Sequence, residues 1–166
     1  IVTTLTSGDS LVGGDGVDTL NFTGTTNVAL PAANIQGIEI INVRQTAAAL
    51  ASTDLSLISG ETNVNLVNSN QAATFTNMAT GGEYGVVGNG SVTNTGALAI
   101  GYAAAADAGV LSFSGGTLGA SATTVTGTGL LSQTINSSGA ANVTGDFTGA
   151  ATVTATTVNA TTNLTT

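Results

Sequence analysis

Short runs of alternating apolar and polar residues recur from one end of this chain to the other, and none of them is long. Val17–Phe22, Ile38–Val43, Val64–Val67, Val110–Phe113, Thr123–Thr126 and Ala151–Val158 each span four to eight residues, bounded by Gly, Asn, Ser or Asp. A period of two sends successive side chains to opposite faces of an extended strand, and the bounding residues are those that turns favour. A chain punctuated this often is expected to be all-β, built from many short strands. The repetition is one of type: a valine closely follows Thr, Asn or Ser at Thr26–Val28, Asn42–Val43, Asn63–Val64, Ser91–Val92, Asn142–Val143 and Thr157–Val158. Degenerate repeats of this kind fit a parallel β-helix, or β-solenoid, in which each rung stacks only on its neighbours. At ~20 residues a rung, the chain would make roughly eight rungs over about 40 Å.

A β-sandwich is the alternative. The chain holds four Phe, two Tyr and no Trp, which leaves little bulk to fill the space between two packed sheets. Ala, Val, Thr and Leu suit a narrow coil better. A single elongated domain over residues 1–166 is expected, with a soft boundary near Gly81–Gly82. The opening IVTTLTSGD starts inside strand-like sequence, so we expect a processed or excised piece of a longer chain. Two stretches depart from the pattern. RQTAAALASTDLSLI (44–58) has the Ala-rich propensity of a short helix or a helical turn, and GYAAAADAG (101–109) reads as one helical turn or a loop.

Composition narrows the chemistry. The 166 residues include no Cys, no His and no Lys; Arg44 is the only base, against nine Asp and Glu, for a net charge of −8. That removes disulfides, thiolate or imidazole metal sites, Schiff-base lysines and basic nucleic-acid grooves. A surface of this sign repels nucleic acid and anionic lipid and attracts cations. No apolar run approaches the ~18 residues that span a bilayer, so membrane insertion is not expected. Polysaccharide cleavage would need paired acids or an arginine beside them. Glu39 and Arg44 are close in sequence, while Asp54, Glu61, Glu83, Asp107 and Asp146 are isolated. The chain is therefore not expected to be an enzyme, and Arg44 is expected as a structural ion-pair partner. Absent Cys, scarce bases and abundant Thr, Asn and Gly point to a secreted protein of the bacterial surface.

One segment carries candidate ligands. GGDGVDTLN (13–21) fits the nonapeptide G-G-x-G-x-D-x-U-x at every fixed position. Glycines permit a tight turn and bring carbonyls close, aspartate supplies the hard oxygen that calcium prefers, and Leu20 turns inward to begin a strand. Asp9, Asp18 and Asn27 continue the spacing of nine, while Asp15 lies within the turn. With two nonapeptides per rung, Asp9 and Asn27 would share one edge and Asp18 the other. The calcium segment is read as residues 4–27, with Asp9, Gly13, Gly14, Asp15, Gly16, Asp18 and Asn27 as the candidate site. The bland alternative is a Gly-Asp turn with no ion.

GGDGVDTLNFTG resembles the repeats of secreted bacterial RTX proteins, especially calcium-dependent S-layer proteins. NVALPAANIQGIEIINV looks like the segments that join such repeats in S-layer and adhesin-like chains. The resemblance covers about the first quarter of the sequence; the remainder is similar in style only. It implies a surface-exposed solenoid, β-roll-like at its start, that folds or assembles with Ca2+. Asp15 and Asp18 would be carboxylate ligands, Gly13, Gly14 and Gly16 the turn, and Asp9 a further ligand. The function expected is a structural S-layer component that self-associates into a lattice or filament. The alternative is a stalk or binding module of an RTX-type adhesin, with a cell-surface glycolipid or polysaccharide as partner.

Overall fold

A computed structural model describes residues 5, 8–24, 30, 34–47, 52–88, 98–114, 123–137, 145–147, 152–157 and 164–165. It is a β-solenoid. Seven strands stack into one parallel sheet: β2 (Thr19–Gly24), β4 (Ile40–Gln45), β6 (Asn63–Val67), β8 (Glu83–Val87), β10 (Ala108–Ser114), β12 (Ser132–Ser137) and β14 (Thr152–Thr157). Six more form the second parallel sheet: β5 (Thr53–Asp54), β7 (Ala73–Met78), β9 (Leu98–Tyr102), β11 (Thr123–Thr126), β13 (Gly145–Phe147) and β15 (Leu164–Thr165). A short third ladder pairs β1 (Leu11–Val12) with β3 (Ile35–Gln36), and Gln36 bridges on to Ser59. Every strand pairing is parallel, and the chain passes from sheet to sheet rung by rung, so the sandwich alternative does not hold.

The register sets out what each face carries. Leu20, Ile41, Val64, Tyr84, Leu111 and Ile135 form one stacked row, and Phe22, Val43, Leu66, Val86 and Phe113 the next. All of these but Leu20 are buried, and Leu20 packs partly buried against them. Between the two rows lies an outward-facing one, Asn21, Asn42, Asn65 and Gly85. Asn42 Nδ2 donates to Asn21 Oδ1 at 2.9 Å, and Asn65 Nδ2 to Asn42 Oδ1 at 2.8 Å. The ladder stops at Gly85, whose missing side chain leaves room for the Asn65 amide.

Rung length varies. Thr19 pairs with Ile40, Ile40 with Asn63, Asn63 with Glu83 and Val110 with Glu83, which are steps of 21, 23, 20 and 27 residues. Insertions enter at the turns and leave the strands in register, as expected of a stack bonded only to its neighbours. Glycines with φ between +59° and +114° recur just before β2, β4, β6 and β8, at Gly16, Gly37, Gly60 and Gly81. Glycine reaches that region at no steric cost, so these positions set the corners. Gly81 and Gly82 lie in the turn before β8, tied to both neighbouring rungs: Glu83 N–H donates to Thr62 O at 2.8 Å and Gly81 N–H to Ala108 O at 2.9 Å.

The two stretches set apart from the strand pattern each close or open a strand and hold a turn. Arg44 and Gln45 complete β4, paired with Thr23 and Gly24; Thr53–Asp54 is β5; and Leu55–Leu57 is a single 3-10 turn capped by the Asp54 carboxylate. In 101–109, Gly101 and Tyr102 end β9 and Ala108 begins β10, with a turn between them. Ladder hydrogen bonds and burial of Gln45 hold Arg44 and Gln45 in the strand. Residues 48–51 of the first stretch, like Pro31, lie outside the described residues.

Five of the chain's six aromatics fill the coil. Phe22, Phe75, Tyr84, Tyr102 and Phe113 are all buried. Tyr84 meets Phe75 at 6.1 Å between ring centres and Tyr102 edge-on at 5.5 Å.

Candidate functional site

The turn between β1 and β2 is held against the next rung by backbone. Gly13 N–H donates to Gln36 O at 2.9 Å, and Ile40 N–H donates to Asp18 O at 3.0 Å. Gly14 and Gly16 take φ of +138° and +114° and face open space, so the loop tip that carries Asp15 is exposed. Gly13 is needed for a different reason. A Cβ there would run into the Gly37 carbonyl oxygen and sit 2.8 Å from Asp18 Oδ2. Two acceptor oxygens therefore converge beside Gly13.

Asp18 is the centre of this corner. Its N–H donates to Glu39 Oε2 at 2.7 Å, and its Oδ2 is buried without a hydrogen-bond donor. A buried carboxylate oxygen with no donor is costly unless a cation or proton compensates it. The oxygen set near it comprises the Asp18 carboxylate, the Glu39 carboxylate and the Gly37 carbonyl. All are hard donors of the class that calcium takes.

The candidate residues separate in space. Gly13, Gly14, Gly16 and Asp18 share the corner. Asp15 and Asp9 are exposed, and no set of three or more acidic side chains gathers to hold a metal among the described residues. Asn27 lies outside the described residues. The rung spans 21 residues here, not two nonapeptides, so the acid stacked against Asp18 is Glu39. Glu39 and Gly37 are the ligand candidates that the motif does not name. Their signal is in the chain: GVDTLN at 16–21 and GIEIIN at 37–42 are the same pattern 21 residues apart, Gly, β-branched, acid, any residue, aliphatic, Asn.

Other acids have local roles. Asn77 Nδ2 donates to Asp54 Oδ1 at 2.8 Å and Ser56 N–H donates to it at 3.0 Å, which holds the Asp54 carboxyl below its usual range. Burial pushes the Glu61 carboxyl up. Asp107 meets the Thr80 hydroxyl. Arg44 is exposed and has no ion pair among the described residues, contrary to the structural pairing expected of it. On the outer face of the six-stranded sheet, Gly101 leaves a notch of about 90 Å³ between Thr76 and Thr126, smaller than ligand pockets of roughly 300 Å³ and more.

No protein-family model matches this chain, and neither a curated protein nor a solved structure does.

Proposed function

We propose that the protein is a secreted structural component of a bacterial surface layer, which self-assembles into a lattice with the help of calcium and has no enzymatic role. The observation that carries this reading is the Asp18 corner: a buried carboxylate oxygen without a donor, beside a second carboxylate, in a chain with one basic residue. Bound there, calcium would supply positive charge between oxygens that otherwise repel. Asp18 and Glu39 would hold it, and Gly37 would add its carbonyl. Because Asp18 precedes β2 and Glu39 precedes β4, the site ties the first long strand to the second. β2 and β14 each have one hydrogen-bonded neighbour among the described residues, and an edge strand held rigid is a template for pairing with another chain.

Calcium titration followed by light scattering tests the reading. The wild-type chain is expected to gain thermal stability and form larger particles in calcium, reversibly with chelator. Asp18→Asn and Glu39→Gln are expected to lose the response, and Asp15→Asn to keep most of it. A wild-type chain that stays monomeric and melts at the same temperature throughout would sink the lattice reading. Monomers that instead bind glycolipid or polysaccharide would favour the adhesin stalk.

A further inference from the structure

A two-dimensional lattice needs contacts in two independent directions, and the ends of the ladder supply only one. Resting on the self-assembly reading above, we infer that the outer face of the seven-stranded sheet packs against the same face of a second copy about a two-fold axis.

That face is built from three outward rows. The first holds Thr19, Ile40, Asn63, Glu83 and Val110; the second is the asparagine row; beyond it stand Thr23 paired with Arg44, and Val67 paired with Val87 and Ser114. Ile40, Val67, Val87 and Val110 are only partly covered. The face is thus mostly uncharged and lined in part by β-branched side chains. Among the described residues it carries one cation, Arg44, and one carboxylate, Glu83. Neither side chain has a hydrogen bond or ion pair among the described residues.

Their positions are diagonal. Arg44 stands two strands and four residues from Glu83, about 16 Å at ordinary sheet spacings. The point midway along that diagonal falls at Asn65 on β6. A two-fold axis lying in the interface there, perpendicular to the diagonal, sets Arg44 of one copy over Glu83 of the other, and the reverse pair forms by symmetry. Each charge that lacks a partner within the chain then has one across the interface.

Charge reversal with cross-linking tests this on the full chain. By sedimentation, Arg44→Glu and Glu83→Arg are each expected to weaken lateral association on the order of tenfold, since each disrupts two symmetric pairs. The double reversal is expected to restore it, with circular dichroism confirming that all variants fold. The chain has no cysteine, so Asn65→Cys, placed at the axis, is expected to form a disulfide with its copy on mild oxidation. Thr76→Cys, on the other sheet, is expected not to. Assembly unmoved by either reversal, or cross-linking at position 76 and not at 65, overturns the face while leaving the lattice reading in place. A wild-type chain that never associates overturns both.

Discussion

At the scale of single residues, the glycines act through space as well as through torsion. Gly13 has no room for a methyl group because the Gly37 carbonyl occupies it. Gly13→Ala is expected to cost about 3 kcal/mol, at the upper end for overpacking, read as a lower denaturation midpoint. Gly101 is the opposite case. A Cβ there would lie 3.6 Å from Thr126 Oγ1 and from the Thr76 Cα, ordinary contact, within an extended strand. Gly101→Ala is expected to stabilise the fold by about 0.5–1 kcal/mol by restricting the unfolded chain.

Two carboxyls give opposite pH signatures. Burial raises Glu61, so its ionisation opposes folding, and its share of stability falls as pH rises through and above the ordinary value of 4.5. Glu61→Gln is therefore expected to raise the melting temperature at about pH 7 and to leave it nearly unchanged at about pH 3, where both forms are neutral. Asp54 is lowered by its hydrogen bonds from Asn77 and Ser56, so its contribution is present above the ordinary 3.8 and is lost as pH falls. Asp54→Asn is expected to reduce stability near neutrality and to matter less in acid, by the same melting curves.

At the scale of elements, neighbouring strands are joined by side chains as well as by the ladder. The longest rung shows it. The Val110 N–H to Gly82 O bond is stretched to 3.4 Å, and the Tyr102 hydroxyl enters beside it, accepting from Val110 N–H at 2.9 Å. That hydroxyl lies 3.0 Å from Val110 O and 3.2 Å from Gly82 O, either of which it can donate to. Its pKa is pushed up to about 12, chiefly by burial, so it keeps its proton at any working pH. Gly109 leaves space for the ring: a Cβ there would lie 2.5 Å from Tyr102 Cζ. Tyr102→Phe strips the partner from buried groups and is expected to cost about 1–3 kcal/mol in denaturant unfolding. Asparagines do similar work outside. Asn42 is the middle member of its ladder, so Asn42→Ala removes two hydrogen bonds at once; half-exposed, they are expected to be worth about 1 kcal/mol together.

At the scale of the whole molecule, stability should run along the stack. Each rung is bonded only to those above and below it, so hydrogen exchange is expected to be slowest in β6, β8 and β10 and fastest in β2 and β14. Uniform protection along the seven strands would argue against a nearest-neighbour ladder. The solenoid itself was legible in the chain: alternation gave the strands, and Val64–Val67, Val110–Phe113 and Thr123–Thr126 fall on β6, β10 and β11. The corner turn was legible too, because glycine is nearly alone in tolerating its backbone angles. Rung length was legible only as ~20 residues; which acid stacks on which was not. A period of nine within GGDGVDTLN pointed to Asn27, whereas the fold stacks Asp18 on Glu39, 21 residues away. Nor did the Ala-rich run after Arg44 disclose that Arg44 and Gln45 close a strand. Local sequence determines which residues turn and which face alternates, since those follow from torsions and side-chain period. Which rung lies on which, and so which oxygens share a corner and which charges are left facing outward, is decided by the packing of the inner rows. That is a sum over many distant contacts which no single segment encodes.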